Sequence, residues 1–85
     1  METFDYTVTD PNGLHARPAG LLVRKAQSFD CQITVRIGDK SADLKKLLAV
    51  MGLGILHGDT VTVEVRGTDC AACARELKHF FAENI

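Results

Sequence analysis

Three stretches of the chain alternate apolar and polar residues with a period of two, and this alternation constrains the fold most strongly. They read TFDYTVT from residue 3, CQITVRI from residue 31 and TVTVEVR from residue 60. Such alternation is typical of β-strands with one face buried and the other in water. Strands of this kind are typical of antiparallel sheets, so the chain is predicted to form a sheet with one face buried and the other exposed to solvent.

The segment after the first strand has the spacing of an amphipathic helix. From Ala16 to about Ser28, apolar residues recur at helical intervals. Pro18 fits the first turn, because a proline there costs no intrahelical donor. The helix is therefore predicted to start within a residue or two of His15. The residues of its apolar stripe are Ala19, Leu22, Ala26 and Phe29.

Two further helices follow in the pattern. The second is predicted within DLKKLLAVMGLGI, after a short strand around Ser41, with Gly52 or Gly54 as its C-cap. Thr68 or Asp69 can cap the third helix. The second helix is expected to carry an apolar stripe of Leu44, Leu47, Leu48 and Met51. The inward residues of the third are expected to be Cys73 or Ala74, Leu77, and Phe80 or Phe81.

The order β-α-β-β-α-β-α predicts an α+β fold. We expect a two-layer open-faced β-sandwich in which a four-stranded antiparallel sheet carries three helices on one face. The 85 residues suffice for one small domain, residues 1–85, with a modest core. A content of 46% hydrophobic and 25% charged residues is ordinary for such a domain.

Charge and composition exclude several classes of function. A formal net charge of −1 argues against general binding to nucleic acids or membranes. No stretch is apolar enough to insert into a membrane, and the acidic, alternating N-terminus is not a signal peptide. Three cysteines give no disulfide framework. We therefore expect a cytoplasmic protein, without metal or other cofactor, that acts as a monomer.

The stretch NGLHARPAG, residues 12–20, contains the most unusual candidate site. The first turn of a helix offers unpaired N–H groups and a partial positive charge, which suit a phosphate. His15 could supply a neutral ring nitrogen as nucleophile, and Arg17 a bidentate clamp on phosphate oxygens. The first-turn amides of Ala16 and Arg17 would complete the site. From helix physics alone, a surface or capping histidine is the competing interpretation.

Two segments resemble the HPr family, the histidine-containing phosphocarriers of the bacterial sugar phosphotransferase system. GLHARPA (residues 13–19) resembles the active-site signature, and DLKKLLAVMGLGI (residues 43–55) is similar to the second signature block. The resemblance implies that His15 takes a phosphoryl group from phosphorylated enzyme I, with phosphoenolpyruvate as ultimate donor. It also implies delivery to the A component of a sugar permease, and use of the ring nitrogen nearer the backbone.

The resemblance further implies a surface for docking partners beside the histidine. Apolar residues at positions 47, 48 and 51 lie exposed in HPr-like proteins, although the helical stripe alone also fits core residues. Basic residues would rim this patch and attract acidic partners. The implied docking residues are Gly20, Arg24, Lys45, Lys46, Leu47, Leu48 and Met51.

The chain departs from the family pattern at three positions. Lys46 stands where many relatives carry a regulatory serine, and lysine cannot accept a phosphate there. Gln27 and Ala49 replace residues that are often basic in the family. The alternative function is accordingly a regulatory adaptor of a nitrogen-type or other phosphorelay, whose binding to regulatory proteins is switched by phosphorylation of His15.

Other reactive residues are interpreted as structural. Cys70 and Cys73 form a C-x-x-C at a helix start, where a thiol redox site is possible. Zinc would need about four ligands, and the chain has no clear set. We expect the cysteines to act as small apolar residues, with Cys31 in the core. His57 and His79 are expected to be exposed.

Overall fold

Seven elements follow one another in the predicted order in the computed structural model, which describes residues 1–85. All strand pairs are antiparallel, and the sheet order β1-β4-β2-β3 puts β1 and β3 at the edges. The α+β open-faced fold with three helices is thus confirmed. The elements are β1 (Glu2–Thr7), α1 (Ala16–Gln27), β2 (Gln32–Ile37), β3 (Lys40–Asp43), α2 (Leu47–Met51), β4 (Thr60–Arg66) and α3 (Cys70–Asn84).

The core lies between the apolar face of the sheet and the helices. Val35 of β2 and Val63 of β4 are paired in the sheet and have no exposed surface. The Phe81 ring of α3 contacts Phe4 and Tyr6 of β1, with ring centroids 5.8 and 5.3 Å apart. Of the predicted apolar stripe of α1, Ala19, Leu22 and Ala26 are buried, and Phe29, just after the helix, is half-buried. No helix is long and apolar enough to span a membrane.

The predicted apolar stripe of α2 is wrong. Leu44 is buried but precedes the helix, because its N–H still continues the sheet by donating to the Ile33 carbonyl oxygen at 2.9 Å. Asp43 then accepts two backbone N–H groups, which forms a turn before the helix begins. The five-residue helix buries Val50 instead and ends at Gly52, one of the two expected caps. Its residues Leu47, Leu48 and Met51 face outward.

The expected side-chain cap of α3 is also absent. Asp69 does occupy the N-cap position, but its carboxylate makes no capping hydrogen bond. An N-cap side chain reaches the first-turn amides from an extended backbone, whereas Asp69 is left-handed with φ 59°. The inward face of α3 is as predicted, with Cys73, Ala74, Leu77 and Phe81 all buried.

Candidate functional site

His15 occupies the N-cap of α1, where extended backbone (φ −91°, ψ 178°) turns into the helix. Its carbonyl oxygen accepts the first helical hydrogen bond, from the Ala19 N–H at 2.9 Å. Before that bond, the N–H groups of Ala16 and Arg17 have no backbone acceptor, and Pro18 has no N–H. Two free amide donors therefore follow His15 directly, at the positive end of the helix.

The reactive side chains of this turn are accessible. The His15 side chain is 42% exposed, and Arg17 is exposed as well. The only hydrogen-bond contact of the imidazole is made by Nε2, so Nδ1 makes no hydrogen bond within the protein. The Arg17 guanidinium takes part in no ion pair. Both groups are free to meet an anionic ligand in front of the helix.

Tight backbone packing fixes the loop that leads into His15. Gly13 is left-handed at φ 69°, and its N–H donates to the Asp10 carbonyl oxygen at 2.9 Å. The next N–H, of Leu14, donates to the Ile55 carbonyl oxygen at 3.0 Å. The loop therefore lies directly against the chain that precedes β4, and the orientation of the histidine depends on that contact.

Asp10 is a site residue that the sequence analysis missed. Its Oδ2 lies 3.4 Å from His15 Nε2, while its Oδ1 accepts the Asn12 backbone N–H at 2.9 Å. The Asn12 N–H chiefly, and the His15 and His57 rings to a smaller degree, hold the pKa of the Asp10 carboxyl below its usual value of 3.8, against partial desolvation. The only sequence signal for this role is that Asp10 lies five residues before His15. An aspartate in that position is equally typical of a turn.

The docking residues implied by the family resemblance lie on α1, on α2 and in the two residues before α2. Leu48 is 86% exposed, the most exposed of the large apolar residues, and Leu47 and Met51 of α2 are also exposed. On α1, which contacts α2, Arg24 is exposed and Gly20 has open space beside it. The exposed large apolar residues other than Met1 are here called the apolar patch; they are Leu21, Leu47, Leu48, Met51 and Leu56.

Leu21 and Leu56 belong to the apolar patch but were not predicted. Leu56 follows Ile55 directly, and its Cα lies 2.8 Å from where a Cβ on Gly13 would be. It therefore adjoins the loop before His15. Leu21 could have been found, because it lies off the buried stripe of α1. Leu56 sits in a segment that was interpreted only as a turn.

The two lysines before α2 have different environments. The Lys45 ammonium donates to the Phe29 carbonyl oxygen, beyond the C-terminal end of α1 and opposite to the histidine end. Its own carbonyl oxygen accepts the Gln27 side-chain amide at 2.9 Å. Lys46, at the N-cap of α2, is exposed and makes no ion pair. Of the two, Lys46 has the ammonium free for a partner.

The cysteines of the C-x-x-C stretch have unlike surroundings. Cys73 is buried, and Cys70 is partly exposed at the start of α3. Burial, and next the neighbouring Cys31 thiol, raise the pKa of Cys73 from 9.0 to about 12. Such a site disfavours the thiolate that redox chemistry requires. Cys31 is buried as expected, and its thiol contacts the Thr68 carbonyl oxygen at 3.1 Å.

Comparisons with known proteins show the family to which the chain belongs. A family model described as "PTS HPr component phosphorylation site" matches residues 2–83. The chain is 49% identical over 69 residues to the phosphocarrier protein HPr of Lysinibacillus sphaericus, covering 81% of this chain and 78% of that protein. It superposes on the solved structure of a Mycoplasma histidine-containing phosphocarrier protein with a TM-score of 0.92, at 32% identity, covering 96% of this chain and 93% of that one.

A longer relative has the same kind of segment. The chain is 40% identical over 77 residues, 91% of its length, to a multiphosphoryl transfer protein of Xanthomonas campestris pv. campestris, of which it spans 9%. An open-faced sandwich with a histidine at the start of its first helix, matched nearly end to end by phosphocarriers, defines a histidine phosphocarrier domain. The chain belongs to the HPr family of the phosphotransferase system.

Proposed function

We propose that the protein carries a phosphoryl group on His15, received from the phosphohistidine of enzyme I and delivered to the A component of a sugar permease. One observation carries the proposal: the exposed imidazole of His15, whose Nδ1 makes no hydrogen bond within the protein, directly precedes two free amides at a helix start. The Ala16 and Arg17 amides would bind the phosphoryl oxygens, and the Arg17 guanidinium would add a clamp. Phosphoryl transfer needs mainly this kind of positioning and charge stabilisation.

The apolar patch supports the carrier function, because a carrier must dock. Leu47 and Leu48 expose apolar surface to water. A contiguous exposed apolar surface is typical of a site that binds a partner. Arg24 and Lys46 would provide its basic rim and steer acidic partners. The rim is thin, since the Lys45 ammonium binds Phe29 and position 49 is alanine. We infer weak, rapid complexes, consistent with a monomeric carrier that works beside enzyme I in the cytoplasm.

The proposal is tested by phosphorylation in vitro. The protein is incubated with phosphoenolpyruvate, Mg²⁺ and a purified enzyme I, and its intact mass is followed. The expected result is a gain of one acid-labile phosphate that His15→Ala abolishes. His57→Ala is the matched control, because it removes an exposed histidine from the adjacent turn and should leave the gain intact. Failure of the wild-type protein to gain mass would contradict the proposal.

A second step separates the carrier from a regulatory adaptor. The phosphorylated protein is purified and mixed with permease A components. Transfer within seconds supports the carrier function, whereas stable stoichiometric binding without transfer supports the adaptor. Lys46, which cannot be phosphorylated where relatives carry serine, makes regulation through that position unavailable in either case.

A further inference from the structure

We propose that Asp10 is a positioning residue for His15: its carboxylate holds the proton of the imidazole on Nε2, so that Nδ1 presents the lone pair that takes the phosphoryl group. The inference rests on the proposed function, since it assigns a role within the same transfer. It adds a residue from the loop before α1 to a site that otherwise consists of the first helical turn.

Two hydrogen bonds of its backbone and one of its side chain hold Asp10 in place. Its N–H donates to the Ile85 carbonyl oxygen at 2.8 Å, and its carbonyl oxygen accepts the Gly13 N–H at 2.9 Å. Its Oδ1 accepts the Asn12 N–H, also at 2.9 Å. Oδ2 alone remains for the ring, 3.4 Å from His15 Nε2. The carboxylate is thus oriented by the loop and does not depend on the histidine for its position.

The chemistry of the pair determines which nitrogen is protonated. An ionised carboxylate only accepts hydrogen bonds, so its partner nitrogen must carry a proton. A neutral imidazole has one proton, and placing it on Nε2 leaves Nδ1 as the acceptor and nucleophile.

The same contact acts during transfer. The Nδ1 lone pair forms a bond to phosphorus while the P–N bond of the donor phosphohistidine breaks and its electron pair returns to the donor ring. The phosphorylated His15 ring keeps its Nε2 proton and gains positive charge, which faces the Asp10 carboxylate. The 3.4 Å contact is long for a hydrogen bond and is expected to shorten at this stage. Delivery to the next partner reverses these steps.

The test compares Asp10→Ala and Asp10→Asn by ¹⁵N NMR of the His15 ring at about pH 8.5, well above the usual imidazole pKa of about 6.5. Asparagine keeps an oxygen for the Asn12 N–H, so the loop is retained. Its amide then faces Nε2 as a donor, which favours the opposite tautomer. The expected Nε2–H fraction is highest in wild type, lower in Asp10→Ala and lowest in Asp10→Asn. A role that is merely structural would not produce this order.

Two further measurements complete the test. The hydrogen bond between the Nε2 proton of the phosphorylated ring and residue 10, seen by ¹⁵N NMR, should be lost in Asp10→Asn, and the rate of phosphorylation by saturating enzyme I should fall about tenfold. Asp39→Asn removes the same charge from an exposed turn between β2 and β3 and should change neither. His57→Gln removes the other ring that interacts with Asp10 and should preserve the tautomer.

The outcomes separate this inference from the proposed function. Normal phosphorylation with an unchanged tautomer in Asp10→Asn would overturn the role of Asp10 and leave the carrier intact. A wild-type protein that accepts no phosphate at all would contradict the carrier function, and the positioning role with it.

Discussion

Gly13 lies so close to Ile55 that a Cβ atom at position 13 would stand 2.6 Å from the Ile55 carbonyl oxygen. Backbone meets backbone at this point, so neither side can yield by rotating a side chain. Through this contact, the loop that carries Asp10 and His15 is fixed to the segment before β4. The geometry of the site therefore depends on a position that has no side chain.

Gly13→Ala is expected to destabilise the protein by about 2–3 kcal/mol, since it combines a left-handed backbone with this clash. Urea unfolding measures the effect. The control is Gly54→Ala, which has a similar φ of 64° but nothing within 4 Å of the added carbon. It should cost only about 1 kcal/mol. Equal losses in the two variants would show that the contact with Ile55 is unimportant.

Arg17→Lys is expected to slow phosphorylation of His15 about tenfold, because lysine cannot bind two phosphoryl oxygens with a planar fork. Stability should change by less than about 0.5 kcal/mol, since Arg17 is exposed and makes no ion pair. Initial rates with enzyme I give the first quantity and urea unfolding the second. Arg75→Lys on α3 is the matched control, and a similar slowing there would argue against a clamp at Arg17.

Leu48→Ala separates docking from folding. Because Leu48 is 86% exposed, its truncation should leave the free energy of unfolding within about 0.5 kcal/mol of wild type. The KM for enzyme I should rise about fivefold to tenfold, as for loss of an apolar anchor in an interface. Leu44→Ala is the converse variant: it removes a fully buried side chain and should cost about 2–5 kcal/mol. An unchanged KM in Leu48→Ala would remove this residue from the docking surface.

Stability should fall at alkaline pH through Cys73. Its pKa is about 12 in the folded protein against an ordinary 9.0, so the folded state favours the protonated thiol. Below pH 9.0 the Cys73 thiol is protonated in both the folded and the unfolded protein, so its contribution to the free energy of unfolding is fully present. Between pH 9.0 and about 12 the unfolded chain loses it first, and the free energy of unfolding falls by up to about 1.4 kcal/mol per pH unit.

Denaturant unfolding at several pH values checks this prediction, with Cys73→Ala and Cys70→Ala compared to wild type. The alkaline loss should be smaller in Cys73→Ala and unchanged in Cys70→Ala, whose thiol is partly exposed. An identical pH slope in all three proteins would contradict the assignment to Cys73. Alkylation of the native protein should likewise modify Cys70 before Cys73.

Local patterns predicted the elements well where the signal was itself local. Strand alternation identified the sheet, and Pro18 placed the start of α1 correctly because its missing N–H fits only the first turn. The stripe of α2 failed for a physical reason. Leu44 has helical spacing to Leu47 and Leu48 by coincidence, while its N–H is bound to Ile33 in the sheet.

The parts of the site that escaped prediction depend on distant contacts. Asp10 faces His15 because Ile85 and Gly13 hold its backbone, and neither contact is visible from spacing along the chain. The proximity of Cys73 to Cys31 likewise arises from packing α3 on the sheet. Burial of Cys73 was predicted from helical periodicity, but the identity of its neighbour was not.

Leu48 of the apolar patch is exposed on α2, which packs against α1, the helix whose N-cap is His15. Under the proposed function, this arrangement bears on how several partners share one protein. If a donor and an acceptor both dock on Leu48, as proposed, they compete for the same surface, and one must leave before the other can bind. All partners of such a carrier then draw on one pool of phosphorylated and unphosphorylated molecules. When one partner takes phosphoryl groups, the ratio of phosphorylated to unphosphorylated carrier falls for every other partner, without any contact between the partners.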